Sequence, residues 1–108
     1  MSNKINKNKY NELFKKTDRE KEHAELFKLA IINFNNKEYK SSYNSFNSIA
    51  YYYYESSYKI LAKYLLALLY KDGLGITRNL NEAKSLYIEV SENESIHKKD
   101  AEKILKNW

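Results

Sequence analysis

The chain contains no proline, and its only two glycines lie two residues apart, in Gly73-Leu74-Gly75. Proline and glycine are the residues that most often end helices, and β-branched runs are few, so helix is the default from end to end. The one interruption divides the sequence. An apolar helical pattern from about Ser57 runs up to Asp72, and Gly73 follows in a position suited to left-handed backbone at a helix end. Asn79 and Glu82 then supply a cap residue with an acid three positions later, opening a helix that carries Ala83, Leu86, Tyr87 and Val90.

The same periodicity places helices on either side. Thr17-Asp18-Arg19-Glu20 reads as a capping box in which the Thr17 hydroxyl and the Glu20 carboxylate each accept the other residue's backbone N–H. Ala24, Phe27, Ala30, Ile31 and Phe34 recur at three and four residues after it, predicting a helix to about Phe34. Asn35-Asn36 marks a turn. Tyr39, Tyr43, Phe46, Ile49 and Ala50 predict a second helix against the first, with Ser41 and Ser42 small enough to let the backbones approach. A closing helix begins near Ser95 and presents Ala101, Ile104, Leu105 and Trp108 on one face. Before Thr17, Tyr10, Leu13 and Phe14 could form the face of a short extra helix.

A chain of 108 residues makes one domain, and 43% apolar with 31% charged residues is an ordinary globular balance. No apolar run approaches the roughly 20 residues that span a bilayer, and the polar, lysine-rich start is not a secretory signal. There is no cysteine, so disulfides, thiolate metal sites and a cysteine nucleophile are excluded; a cytoplasmic setting is expected. The net charge of +5 is uneven: residues 1–16 hold five Lys and one Glu and carry +4 of it. The organisation read here is a basic arm, 1–16, and a near-neutral helical domain, 17–108.

One segment is specific enough to suggest kinship. Ala62, Leu66, Ala67, Tyr70, Gly73, Gly75, Ala83 and Tyr87 resemble, in type and spacing, a Sel1-like repeat, the long-turn relative of the tetratricopeptide repeat. Ala67 stands where that family usually has Gly, and Leu86 where it usually has Trp. Upstream, Leu29-Ala30 matches Leu66-Ala67 at an offset of 37 residues, and Ala30 is followed by Tyr39, Ser42 and Phe46 at tetratricopeptide-like spacing. The resemblance implies an all-α, right-handed helical-hairpin solenoid of about two hairpins plus a C-terminal capping helix. It also implies a non-enzymatic protein-binding role, as a small adaptor or inhibitor, with an immunity-type inhibitor of a cognate toxin or enzyme as a subclass. Its groove-lining positions would be Phe27, Ile31 and Phe34 from the first hairpin, and Leu61, Tyr64, Leu68 and Lys71 from the second.

With Leu26, Leu29, Leu66 and Ala67 assigned to the internal core, the first helix of each hairpin is apolar nearly all round. Such a stripe should not stay bare. A partner's amphipathic helix, a second copy of the chain, or the arm through Tyr10, Leu13 and Phe14 could cover it. Partner expectations are therefore another protein or self-association, without a membrane.

Catalysis, cofactors and metals find no positive signal. His23 and His97 lie outside any metal-ligand spacing and read as structural. Gly73-Leu74-Gly75 lacks the third glycine and the Lys-Ser/Thr pair of a phosphate loop. Tyr51–Tyr54, read as helical, would send four rings in directions about 100° apart, two packed and two at the surface. With the Lys-rich arm it supplies the competing expectation, a stacking platform for nucleic acid, which the scarcity of interleaved Lys and Arg disfavours.

Overall fold

A computed structural model describes residues 4–108, and they are all-helical. A 3₁₀ turn over Lys7–Tyr10 runs into α1 (Asn11–Lys16). A second 3₁₀ turn, Asp18–Glu20, leads to α2 (Lys21–Asn35), followed by α3 (Tyr39–Ala50), α4 (Lys59–Asp72), α5 (Leu80–Ser91) and α6 (Lys98–Lys106). From α2 onward each helix packs on the next in chain order. None is long and apolar enough to cross a membrane.

The turns are built much as the sequence suggests. Gly73 ends α4 in the left-handed region at φ 66°, and the Asn79 side chain accepts from the Glu82 N–H to start α5. Gly75 is also left-handed, at φ 74°, and its α-carbon presses on the Tyr39 peptide at the start of α3. Between α2 and α3 the left-handed residue is Lys37, φ 65°, one position after the Asn pair. Ser42 is buried and donates to the Ala30 carbonyl at 2.9 Å, so it marks the close approach of α2 and α3; Ser41 faces out.

Three expectations fail for stated reasons. The capping box does not form: the Thr17 hydroxyl turns back to the Leu13 carbonyl (2.8 Å) and meets the Tyr58 hydroxyl (2.6 Å). The Glu20 carboxylate instead accepts from the backbone N–H and hydroxyl of Ser57, so the partners at the start of α4 displace the local ones. Tyr51–Tyr54 is not helical; α3 stops at Ala50 and the four tyrosines form the connection to α4. Leu29 is 48% exposed and belongs to an outer face of α2 with Ile32, although Ala30 and Ala67, its neighbour and that neighbour's counterpart, are both buried.

Nor does the arm stand apart from the domain. Tyr10 is 1% exposed, and Ile5, Leu13 and Phe14 pack against the core formed by α2 to α6. Fully burying a side chain of this kind contributes about 1.5–3 kcal/mol, which accounts for an ordered two-turn helix too short to persist alone.

Candidate functional site

The seven expected groove residues part company. Phe27, Ile31, Phe34 and Leu61 lie in the core, so they do not line an open groove. The neighbouring helices bury these residues, Phe34 against Tyr39 of α3, and at Phe27 the arm adds its own cover. Tyr10 meets the Phe27 ring edge-on at a centroid distance of 4.9 Å, and Phe14 rests against both Phe27 and the stacked ring of Tyr58, which also touch each other at 5.3 Å. Tyr64, Leu68 and Lys71 are half-buried along α4. Tyr64 stacks on His97 at 3.9 Å and 8°, Leu68 packs on the core, and Lys71 borders a shallow cleft with Leu80, Ile104 and Trp108.

Two other constellations emerge. The first is buried. His97 Nδ1 lies 3.0 Å from the Asp100 carboxylate, and its Nε2 lies 2.7 Å from the Tyr10 hydroxyl. Asp100 can only accept, so Nδ1 carries the proton and Nε2 accepts from Tyr10. The neutral imidazole thus satisfies both neighbours. Burial holds the His97 pKa below its ordinary 6.5, against the opposing bond to Asp100, while that same bond holds the Asp100 carboxyl low. Tyrosine, histidine and aspartate in a row have the order of a proton relay. Yet the Tyr10 hydroxyl is sealed from solvent and its ionisation is pushed up, chiefly by burial, which is opposite to what a nucleophile needs. The signal in the sequence was the His97-x-x-Asp100 spacing on a helix start; the tyrosine, 87 positions away, left none.

The second constellation is exposed. Tyr53 is 96% and Tyr54 73% accessible, with Tyr51 and Tyr52 about half so. The connection is tied down nonetheless. The His23 ring meets Tyr52 edge-on at 4.5 Å, Tyr52 and Tyr54 are tilted 60° at 5.9 Å, and the Lys63 ammonium lies over Tyr51 at 5.5 Å. At the base, His23 bonds Ser56, whose hydroxyl accepts from the Tyr58 N–H, and Glu20 grips Ser57. Burial would raise the Glu20 carboxyl, but the bonds from Ser57 and Ser56 outweigh it and keep the group ionised. Tyr52, Tyr54 and His23 border a cleft of about 450 Å³ rimmed by Arg19, Lys21, Glu20, Glu22 and Glu55. A second cleft, about 510 Å³, opens beside the end of the same connection, at Glu55, Ser56 and Ser57, and is lined further by Leu13, Ile60, Lys63, Glu89 and Ile96. Lys63 and Glu89 form an ion pair at its edge.

No protein-family model, no curated protein and no solved structure matches the chain. Among the described residues no cluster of His, Asp and Glu has the arrangement of a metal site.

Proposed function

We propose that the chain is a non-enzymatic protein-binding module, a small adaptor or inhibitor, whose contact surface is the tyrosine connection between α3 and α4 with the two clefts beside it. The observation that carries this reading is the exposure of four consecutive tyrosines on a connection braced by His23, Ser56, Ser57 and Lys63. A tyrosine presents a large amphipathic face at the cost of two torsions, and pre-ordering lowers the entropy lost on binding. Nothing in the packing of the helices uses Tyr53.

Charge favours a protein over a nucleic acid. Arg19 and Lys21 on the rim are offset by Glu20, Glu22 and Glu55, so a phosphate backbone would meet as much repulsion as attraction. The Sel1-like, right-handed arrangement is part of the proposal. Its supports are the consecutive helix packing, the matched buried Ala30 and Ala67, and the long glycine turn closing the second hairpin.

Replacing Tyr53 and Tyr54 together by serine tests the reading. Helix content by circular dichroism should be unchanged, because neither ring supports the core. A partner captured by the wild-type chain, and reconstituted with it from purified components, should lose affinity by at least tenfold. Equal binding by both chains would move the surface elsewhere. Single-stranded oligonucleotide bound at micromolar affinity near physiological salt, and lost in the same variant, would favour the stacking platform instead.

A further inference from the structure

The arm is held in the manner of a bound peptide. Its main chain is gripped at one end by a side chain: the Ile5 N–H donates to Asn35 Oδ1 at 2.7 Å, and Asn35 Nδ2 donates to the Ile5 carbonyl at 2.9 Å. That pair of bonds reads backbone and ignores the identity of the residue. Five positions on, Tyr10 enters a closed seat where His97 accepts its hydroxyl and Phe27 takes its ring. The preceding Lys9 lies 3.6 Å from the Asp100 carboxylate, and Phe14 rests on Phe27 and Tyr58 beneath the Lys28 ammonium. The seats belong to α2, to Tyr58 just before α4, and to the start of α6 with the His97 that precedes it. Between its anchors the arm is exposed at Asn6, Lys7, Asn8, Asn11, Glu12, Lys15 and Lys16, as a ligand's outer face would be.

We propose that residues 5–17 are a releasable strap, an intramolecular ligand whose place can be taken by a segment of another protein presenting a basic residue, a tyrosine and, four residues after the tyrosine, a phenylalanine. The chemistry of the occupant is read from the seats. Asp100 selects the cation, His97 selects an aromatic ring bearing a hydroxyl, Phe27 and Tyr58 select the second ring, and Asn35 accepts any peptide bond. The strap's own α-helix has only six residues and is joined to α2 through Thr17 and one 3₁₀ turn, so it is held by its seats at Asn35, His97, Asp100, Phe27 and Tyr58 and not by continuity with a longer helix. The strap adjoins the tyrosine connection, since Leu13 lines one of its clefts and Phe14 rests on Tyr58. The Tyr53 and Tyr54 rings take no part in the seat, so peptide binding and partner binding can fail independently.

A labelled synthetic peptide of residues 4–17 is the probe, titrated by fluorescence anisotropy into the full-length protein. In the wild type the tethered strap competes at a high effective concentration, so the peptide should bind weakly. Tyr10→Ala in the protein vacates the seat, and the peptide should bind at least tenfold more tightly; the same peptide carrying Tyr10→Ala should not gain. No binding to a helical Tyr10→Ala protein at about 100 μM peptide would overturn the proposal. Should that variant unfold, Tyr10→Phe decides by hydrogen exchange. Faster exchange confined to the amides of 11–16 supports a strap, whereas exchange in step with α2 to α5 makes the arm ordinary core and sinks it. A dimer growing with concentration and swapping labelled arms would also overturn it, by giving the seat to a second copy.

Discussion

A methyl group added at Gly75 would fall 2.4 Å from both the carbonyl carbon and the oxygen of Tyr39, with φ already at 74°. At Gly73 the same methyl group would meet the Arg78 Cβ at 3.2 Å, a contact that a small shift relieves. The two glycines are alike in sequence but unequal in structure. Gly75→Ala should cost about 2 kcal/mol or more, because strain and a backbone clash add, and Gly73→Ala about 1 kcal/mol. Urea denaturation of the two variants checks the order. Equal midpoints would mean that the turn can lift away from α3. The sequence made the helix stop at Gly73 legible, because a left-handed glycine after an apolar run is a local signal. The closeness of Gly75 to α3 was not, since it is a tertiary contact between residues far apart in the chain. Ser42 was readable for the opposite reason: a small residue at the middle of an apolar stripe already announces a close neighbour.

At the level of helices, α2 through α5 follow from their periodicity, and the failures lie at their ends. Thr17 and Glu20 had a local cap within reach, yet both were taken by Tyr58 and Ser57 across the fold. The tyrosine connection carries neither Gly nor Pro, so nothing local marks the end of α3; the hold that His23, Glu20 and Ser56 exert on it is tertiary. The same kind of hold joins the arm to α6 and makes it sensitive to pH. His97 faces Tyr10 and Lys9 from the arm, Tyr64 from α4 and Asp100 from its own helix. Its folded pKa lies below 6.5, so its contribution to stability is complete above that value and declines as pH falls through 6.5 toward the lowered pKa. Protonation puts a second N–H where the Tyr10 hydroxyl donates. Protection of the 11–16 amides should therefore drop between about pH 7 and 5, more than that of α3, and the drop should vanish in His97→Gln. A uniform loss across all helices would place the pH response outside this cluster.

Over the whole molecule the helices pack in chain order, yet the outline is nearly equiaxial, 36 × 29 × 28 Å with a radius of gyration of 13.0 Å. The arm ties α2 to the start of α6, through Phe27 and Asn35 on one and His97 and Asp100 on the other. The apolar excess of the first helix in each hairpin was visible in the sequence, as was the arm's face of Tyr10, Leu13 and Phe14. What covers the stripe was not, because composition cannot tell the arm at Phe27 from the neighbouring helix at Phe34 or the residue leading α6 at Tyr64. The seat of Tyr10 also sets an order of events. Tyr10 leaves the ribosome 87 residues ahead of His97, a gap of roughly 5–20 s at ordinary synthesis rates. During that interval its ring has Phe27 within reach but no partner for its hydroxyl, and the contact with His97 is among the late ones to become possible. Contacts that distant are expected to arrive after the folding barrier. Tyr10→Phe should then leave the refolding rate nearly unchanged and speed unfolding by about the whole of its destabilisation, as stopped-flow measurements of both limbs would show. A slowed refolding limb would instead put the arm in the nucleus, and the N-terminus would guide the assembly of the helices instead of sealing it.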